Sequence, residues 1–470
     1  MSDKAPHSAP APAPGTDRAP GAATRLVNPT VRGYMQALSL QRWYGGYQVL
    51  NLEEHVLNLG IGEVGNIPLP EDLYTLYSRF LQSDALAPLA TRYMGTMGDR
   101  ETNRAMAAVA NTWLGAEYFD EGRVVSMDGG QNAVEVAIRA FTAPLGSAES
   151  RKQYVLLATP AYPYYSAAIA AHAGLMAFLA YSGEEFTRGV EQCCNAAVGV
   201  ILVNVPHNPM GYALTAGQVA RINRVAEQYD CAIVLDAVYG NYPESPEVGR
   251  ALAGFDPGRT VLVDSFSKKY GLPGLRVGFA LSAEPELTYA MRFVKMSESL
   301  SPSSGKLAFA GHLLKHHPEV PARIAEEVRE RRRRFLERFD PGKIAGLKLA
   351  GEPHNPFYLP LDIGALCART GLTDMEVQAH LMEAFHVRVY PGTWTHPSAA
   401  LEAATFSQVG RHSPHGGLPF LAPQFPAGAR IVLAPEHLER RMPGLRLSFG
   451  AETRVEAAAE ALTAGLQALG

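Results

Sequence analysis

Ser265-Phe-Ser-Lys-Lys-Tyr-Gly-Leu-Pro-Gly-Leu-Arg-Val-Gly278 is the stretch on which the reading of this 470-residue chain turns. It follows Thr260-Val-Leu-Val-Asp264 and overlaps Val277-Gly-Phe-Ala-Leu281, two short apolar runs that read as buried strands. The loop between them carries Lys268, Arg276, and glycines at 271, 274 and 278, where backbone turns or approaches something closely. A lysine on a desolvated floor loses its proton and can form a Schiff base, and a guanidinium fork suits a phosphate. The pair therefore suits a phosphorylated aldehyde, but it equally suits a basic surface loop. Its neighbours have to decide.

Working outward, strand-like and helix-like segments alternate between Tyr93 and Leu281. Val124–Met127, Tyr154–Ala158, Val198–Val203 and Cys231–Leu235 read as strands, with a helix over 101–114. This alternation predicts an α/β fold with a mainly parallel sheet between helices, and ligands at the strands' carboxyl ends. Beyond Leu281 a helix is expected over 319–339, with Ile324, Val328, Phe335 and Phe339 on one face. Arg331 to Arg334 stand there among Glu326, Glu327, Glu330 and Glu337 and read as a solvated charged face rather than a nucleic-acid surface. A smaller α/β unit follows, with strands over 357–363, 387–390 and 445–449 and helices near 374–385 and from 452.

Composition limits the function classes. With 47% hydrophobic and 19% charged residues and a net charge of −4, the chain has no global basic field, which argues against nucleic acid as a partner. No apolar run approaches a membrane span, and the N-terminus lacks the apolar centre of a signal peptide. Cys193, Cys194, Cys231 and Cys367 have no metal-type spacing and read as reduced thiols of a cytoplasmic protein. Residues 1–24, rich in Ala and Pro, predict a disordered tail, and an apolar, aromatic arm follows it. Residues 394–442 form a long Pro, Gly and His-rich insertion, in which the spacing of His396, His412 and His415 makes poor metal geometry. No metal is expected.

The ends of the expected strands supply a constellation. Gly129, Gly130 and Gln131 open a helix, which makes an anion site or a packing device. Tyr162, Tyr164 and Tyr165 offer either a stacking surface or core filling, and Asn208-Pro-Met-Gly211 is by default a turn. Asp236 ends a strongly apolar strand, with Tyr239 three residues on; a carboxylate there needs a partner, and a protonated pyridine nitrogen is a suitable one.

Taken together these motifs resemble the class I/II aminotransferases, the fold-type I enzymes that use pyridoxal 5'-phosphate, from about Leu57 to the C-terminus outside the insertion. The resemblance implies that Lys268 carries the cofactor as an imine. Ser265, Arg276 and the amides of Gly130 and Gln131 would bind its phosphate, and Asp236 would pair with the pyridine nitrogen. Asn208 and Tyr239 would bind the ring oxygen and Tyr162 would stack on the ring. Arg446, in Leu445-Arg-Leu-Ser-Phe-Gly450, matches the arginine that grips the substrate carboxylate, with Gly62 lining the substrate site. Tyr93 matches the tyrosine that reaches the phosphate of a neighbouring subunit.

The implied fold is a large domain with a mainly parallel seven-stranded sheet plus a smaller α/β domain, assembled as a homodimer. The expected division is a tail over 1–24, an arm and part of the small domain over 25–65, the cofactor domain over 66–330, and the small domain over 331–470. The implied activity is chemistry at the α-carbon of a free amino acid through an external aldimine and a quinonoid, with transamination first. The alternative is β- or γ-elimination, replacement or cyclisation, on S-adenosylmethionine or a similar substrate, which the insertion favours. A transcription regulator of this fold would need a DNA-binding domain that the Pro/Ala tail and short arm do not provide. In the helix after the Tyr93–Gly98 loop, where many relatives carry an arginine, this chain has Glu101-Thr-Asn-Arg104.

Overall fold

The computed structural model describes residues 55–65, 67–69, 71–83, 91, 93–240, 246–352, 354–396, 431–434 and 442–470. The Ala/Pro tail, the arm before His55, and most of the insertion, including His412 and His415, lie outside the described residues.

Apolar runs buried on both faces form the principal strands, as a helix-covered sheet requires. These are β2 (Val124–Met127), β3 (Tyr154–Thr159), β5 (Val198–Asn204), β6 (Ala232–Asp236), β7 (Thr260–Ser265) and β8 (Gly278–Leu281). β4 (Gly174–Leu179) goes beyond the strands expected from sequence. Gly-Leu-Met-Ala-Phe-Leu contains no β-branched residue, so local propensity hides it, and pairing with β3 along its whole length makes it a strand.

The sheet has eight strands in the order β13-β4-β3-β5-β6-β7-β8-β2, where β13 is Ile431–Leu433. All pairings are parallel except those of β8 with β7 and β2. Seven strands were expected. The eighth comes from the insertion, whose residues 431–433 pair with Leu175–Ala177 and cover the edge that β4 would otherwise present.

A second sheet is antiparallel, in the order β12 (Tyr390–Pro391), β14 (Gly444–Ser448), β10 (Tyr358–Asp362), β9 (Lys348–Leu349). Beside it β1 (Leu57–Asn58) pairs in parallel with β11 (Val387–Arg388). The strand expected over 387–390 is thus broken at Val389, and its halves serve different sheets. The helix Val320–Arg338 turns Ile324, Val328 and Phe335 inward as expected.

One charged residue of that helix corrects the sequence reading. Arg331 is fully buried rather than solvated. Its Nη1 donates to the carbonyls of Gly65 (3.0 Å) and Gly450 (2.7 Å), and its Nε donates to Glu327 (2.8 Å). Sequence periodicity placed the arginine on a charged stripe; a helix that fills the angle between two loops has no free side there.

Candidate active site

The carboxyl ends of β2, β3, β5, β6 and β7 converge on a cavity of about 240 Å³, closed from the other side by the Leu59–Gly65 loop and by β10, β12 and β14. It is lined by every residue expected from sequence except Tyr93, which stands 87% exposed on the surface, and Gly129, which lies directly behind it. Arg104 pairs with Glu121 on the surface and takes no part.

The opening stretch folds as a short helix, Phe266–Lys269, capped by Ser265, followed by a 3₁₀ turn, Pro273–Leu275. This geometry separates the two adjacent lysines. Lys269 turns into the core, pairs with buried Asp264, and lies 5.3 Å from the ring centroid of Trp113. Lys268 turns into the cavity, where its Nζ donates to the carbonyl of Gly62. Burial, together with the positive charges of Arg446 and Arg276 and against the pull of Glu63, lowers its pKa to about 8. A substantial neutral fraction near pH 8 is what an amine nucleophile needs.

Beneath the cavity floor the helix Gly130–Phe141 begins at Gly129, whose φ of 94° only glycine adopts without strain. A Cβ on Gly129 would lie 2.6 Å from Arg276 Nη2, so the glycine is the space that admits the guanidinium. Arg276 itself holds a left-handed φ of 55° and is tied to the carbonyls of Pro273 (3.0 Å) and Asp128 (3.2 Å). The helix N-terminus, this guanidinium, and the hydroxyls of Ser265 and Ser267, 2.9 Å apart, surround one anion-sized end of the cavity.

Asp236, at the end of β6, is buried. Its Oδ2 accepts from the Tyr165 hydroxyl and its Oδ1 from the amide of Val238 (3.2 Å). Burial outweighs both bonds and lifts its pKa to about 6. Tyr165 was legible only as part of an aromatic cluster; the helix Pro163–His172, capped at Tyr162, is what aims it at the carboxylate.

The opposite wall is built around Arg446. On β14 it is 5% exposed; its Nη1 donates to Asn208 Oδ1 (3.2 Å) and its Nη2 to the carbonyl of Gly60 (2.7 Å). Among the described residues Nε has no partner, which leaves this buried fork with donors to offer an anion. The rings of Tyr390 and Tyr358 lie 4.3 and 4.5 Å from its Cζ. Sequence reasoning missed both tyrosines, because their role depends on strand register: Tyr390 is the direct partner of Arg446, and Tyr358 is two positions from its partner Pro360.

Among the described residues no group of three or more His, Cys, Asp or Glu side chains converges as a metal site. No described helix is long and apolar enough to cross a membrane.

A mainly parallel sheet with a lysine, a carboxylate and a helix N-terminus beside an arginine at its strand ends, facing a buried arginine on the second sheet, suits an enzyme that works on an amine and a carboxylate. The sequence matches the family described as Aminotransferase class I and II over residues 54–402, and the chain belongs to that pyridoxal-phosphate-dependent family. It is 25% identical over 350 residues to the aspartate aminotransferase of Thermotoga maritima, covering 72% of this chain and 84% of that one. The aromatic-amino-acid aminotransferase 2 of Thermococcus litoralis is 24% identical, with the same coverage. The crystal structure of the Thermotoga maritima aspartate aminotransferase superposes with a TM-score of 0.70 at 19% identity, covering 93% of this chain and 99% of that one. The fold is that of the fold-type I aminotransferases, and the protein is an aminotransferase-type enzyme.

Proposed function

We propose that this chain binds pyridoxal 5'-phosphate on Lys268 and transaminates a free amino acid whose carboxylate is held by Arg446. The observation that carries the reading is the buried carboxylate of Asp236, raised to about 6, on the floor of a cavity whose anion cradle and neutral-prone lysine lie at its other ends. A protonated pyridine nitrogen supplies the cationic partner that Asp236 lacks, and a phosphate fits the cradle around the Arg276 guanidinium, which the missing Cβ of Gly129 admits.

When bound, pyridoxal phosphate supplies an electron sink for bonds broken at the substrate's α-carbon. The rest is done by this chain's residues. Asp236 keeps the pyridine nitrogen protonated, supported by Tyr165 and Val238. Gly130, Gln131, Ser265 and Arg276 hold the phosphate, Tyr162 covers the ring, and Asn208 and Tyr239 serve its oxygen. Asn208 also bonds Arg446, so one amide aligns cofactor and carboxylate. Arg446, held from both sides, fixes the carboxylate and thereby decides which α-carbon bond faces the sink. Lys268 Nζ, held in the cavity beside the carbonyl of Gly62, would be the base that moves the α-proton.

Two chains are proposed to share the work as a homodimer. The helix Pro285–Ser299 exposes Tyr289, Phe293 and Met296, with Leu300 beyond it, as an apolar stripe for a second copy, and exposed Tyr93 would reach the neighbour's phosphate. Residues 66–330 form the cofactor domain in this reading. Residues 331–470, apart from β13, which joins the large sheet, form the smaller one with part of 25–65, in keeping with the β1–β11 pairing. Four free, buried cysteines favour a reducing cytoplasm.

The test is borohydride reduction of the pyridoxal-phosphate-loaded protein followed by peptide mapping, which should place the label on Lys268. Incubation with an amino-acid panel should then yield the oxo acid and the amino form of the cofactor. A labelled protein that releases no oxo acid with any amino acid, yet loses a β- or γ-substituent from one, would transfer the site to elimination chemistry.

A further inference from the structure

Tyr358 stands between the two halves of the site and touches both. One face of its ring lies 4.5 Å from Cζ of Arg446, while its hydroxyl is 2.6 Å from that of Tyr239, the residue proposed to serve the cofactor's ring oxygen. The same hydroxyl occupies the space left by Gly62: a Cβ there would lie 2.5 Å from it and 3.5 Å from Lys268 Nζ. Both tyrosines are almost fully buried, and burial raises both phenols, so each keeps its proton and each can donate.

We infer that Tyr358 is a positioning residue that couples the carboxylate grip of Arg446 to the cofactor side, its ring clamping the guanidinium and its hydroxyl directing that of Tyr239. This rests on the cofactor reading above and goes beyond it, because it assigns separate work to two parts of one side chain.

The ring's part follows from register. Tyr390 and Tyr358, on the strands either side of β14, close on Arg446 with their ring centroids 4.3 and 4.5 Å from its Cζ. The fork then needs no reordering when a carboxylate arrives.

The hydroxyl's part follows from donor counting. A phenol has one proton, so when Tyr239 donates to a ring oxygen, the bond between the tyrosines is made by Tyr358 donating to Tyr239. A donor that itself accepts a bond is a stronger donor. Tyr239 therefore stabilises a negative ring oxygen better with Tyr358 behind it. Removing that support strengthens the hold on a proton at the neighbouring nitrogen of Lys268 in its bond to the cofactor. The charged and titratable groups facing this junction are Glu63, Asp236, Tyr239, Lys268, Arg276, Tyr390 and Arg446, with Tyr162 beyond. Tyr358→Phe leaves all of them in place.

The experiment compares full-length wild type, Tyr358→Phe and Tyr358→Leu, each loaded with pyridoxal phosphate and checked for unchanged circular dichroism. The pH midpoint of the visible absorption band is read first. The affinity for 2-methylalanine, which has no α-hydrogen and cannot proceed, is then read well above that midpoint. Tyr358→Phe should raise the midpoint by roughly half a unit or more and leave the affinity within about twofold. Tyr358→Leu should raise the midpoint equally and weaken 2-methylalanine by about tenfold. A Tyr358→Phe midpoint equal to wild type, or a loss of affinity as large as in Tyr358→Leu, overturns the inference. Wild type that takes up no pyridoxal phosphate overturns the cofactor reading and the inference with it.

Discussion

The two walls of the cavity are built in different ways. The wall proposed to hold the cofactor is a set of strand ends in one mainly parallel sheet, and each end delivers its residue from a short local motif: Gly129 and Gly130, Asn208, Asp236 with Tyr239, and Lys268 with Arg276. The substrate wall is woven from distant chain. Gly60 and Arg446 bond across 386 residues, Arg446 sits between tyrosines from two other strands, and buried Arg331 clips Gly65 to Gly450. Local chemistry fixes the first wall, and strand register fixes the second. Damage to the first should therefore abolish chemistry, and damage to the second should degrade recognition.

The strongest form of this contrast is Lys268→Ala. In the proposed mechanism, removing the amine takes away both the attachment point and the proton carrier, so turnover should fall by about 10⁴-fold or more while the fold, read by circular dichroism, stays intact. Residual turnover within tenfold of wild type would remove Lys268 from the mechanism. On the facing wall, Arg446→Gln keeps a planar donor but loses the charge and the fork. It should lower kcat/KM by roughly 10²–10³-fold, mainly through KM, with pyridoxal phosphate still bound. An equal fall in cofactor affinity would break the division between the walls.

The same contrast explains what the sequence could tell. Lys268 and Asp236 stood out as candidates because they lie at the ends of runs apolar enough to be buried strands, whereas Asn208 read as a turn and, like Tyr239, received a role only through the family resemblance. Arg446 and Gly62 could be assigned only through the family resemblance, since nothing within a few residues of Gly62 marks a partner near residue 446. Tyr358 read as one more apolar position of a strand, and its contact with Arg446 exists only once β10 and β14 are in register. Arg331 read as surface, because periodicity reports a helix face and not what later packs against it. The eighth strand was hidden for another reason: β13 has three residues and is made by the edge of β4.

Two glycines sharpen the comparison with smaller expected effects. Gly129→Ala combines a left-handed φ with a Cβ 2.6 Å from Arg276, so both backbone and phosphate ligand must move. Pyridoxal phosphate affinity should drop by about tenfold or more. Gly62→Ala puts its Cβ 2.5 Å from the end of the Tyr358 side chain and at an ordinary 3.5 Å contact from Lys268 Nζ, and a side chain yields more readily than a helix start. It should leave cofactor affinity unchanged and raise KM by about threefold to tenfold. Titrating each variant with pyridoxal phosphate, followed by steady-state kinetics, separates the two outcomes.

The smallest effect concerns the cofactor wall without its cofactor, where two charges are held unfavourably. Asp236 moves from its ordinary 3.8 up to about 6, so between these values the folded chain holds more proton than the unfolded one, and this group's contribution to stability is lost as pH rises through the window. Lys268 moves from 10.5 down to about 8, so between these values the unfolded chain holds more proton, and stability rises with pH across that window. Urea denaturation of the cofactor-free protein should therefore show a falling leg between about pH 4 and 6 that Asp236→Asn flattens. It should also show a rising leg between about pH 8 and 10.5 that Lys268→Met flattens. Pyridoxal phosphate should weaken the falling leg, since its pyridine nitrogen gives Asp236 a cation. Legs that persist unchanged in the two variants would mean that the titrating groups lie elsewhere, and that the cofactor wall is less desolvated than its geometry implies.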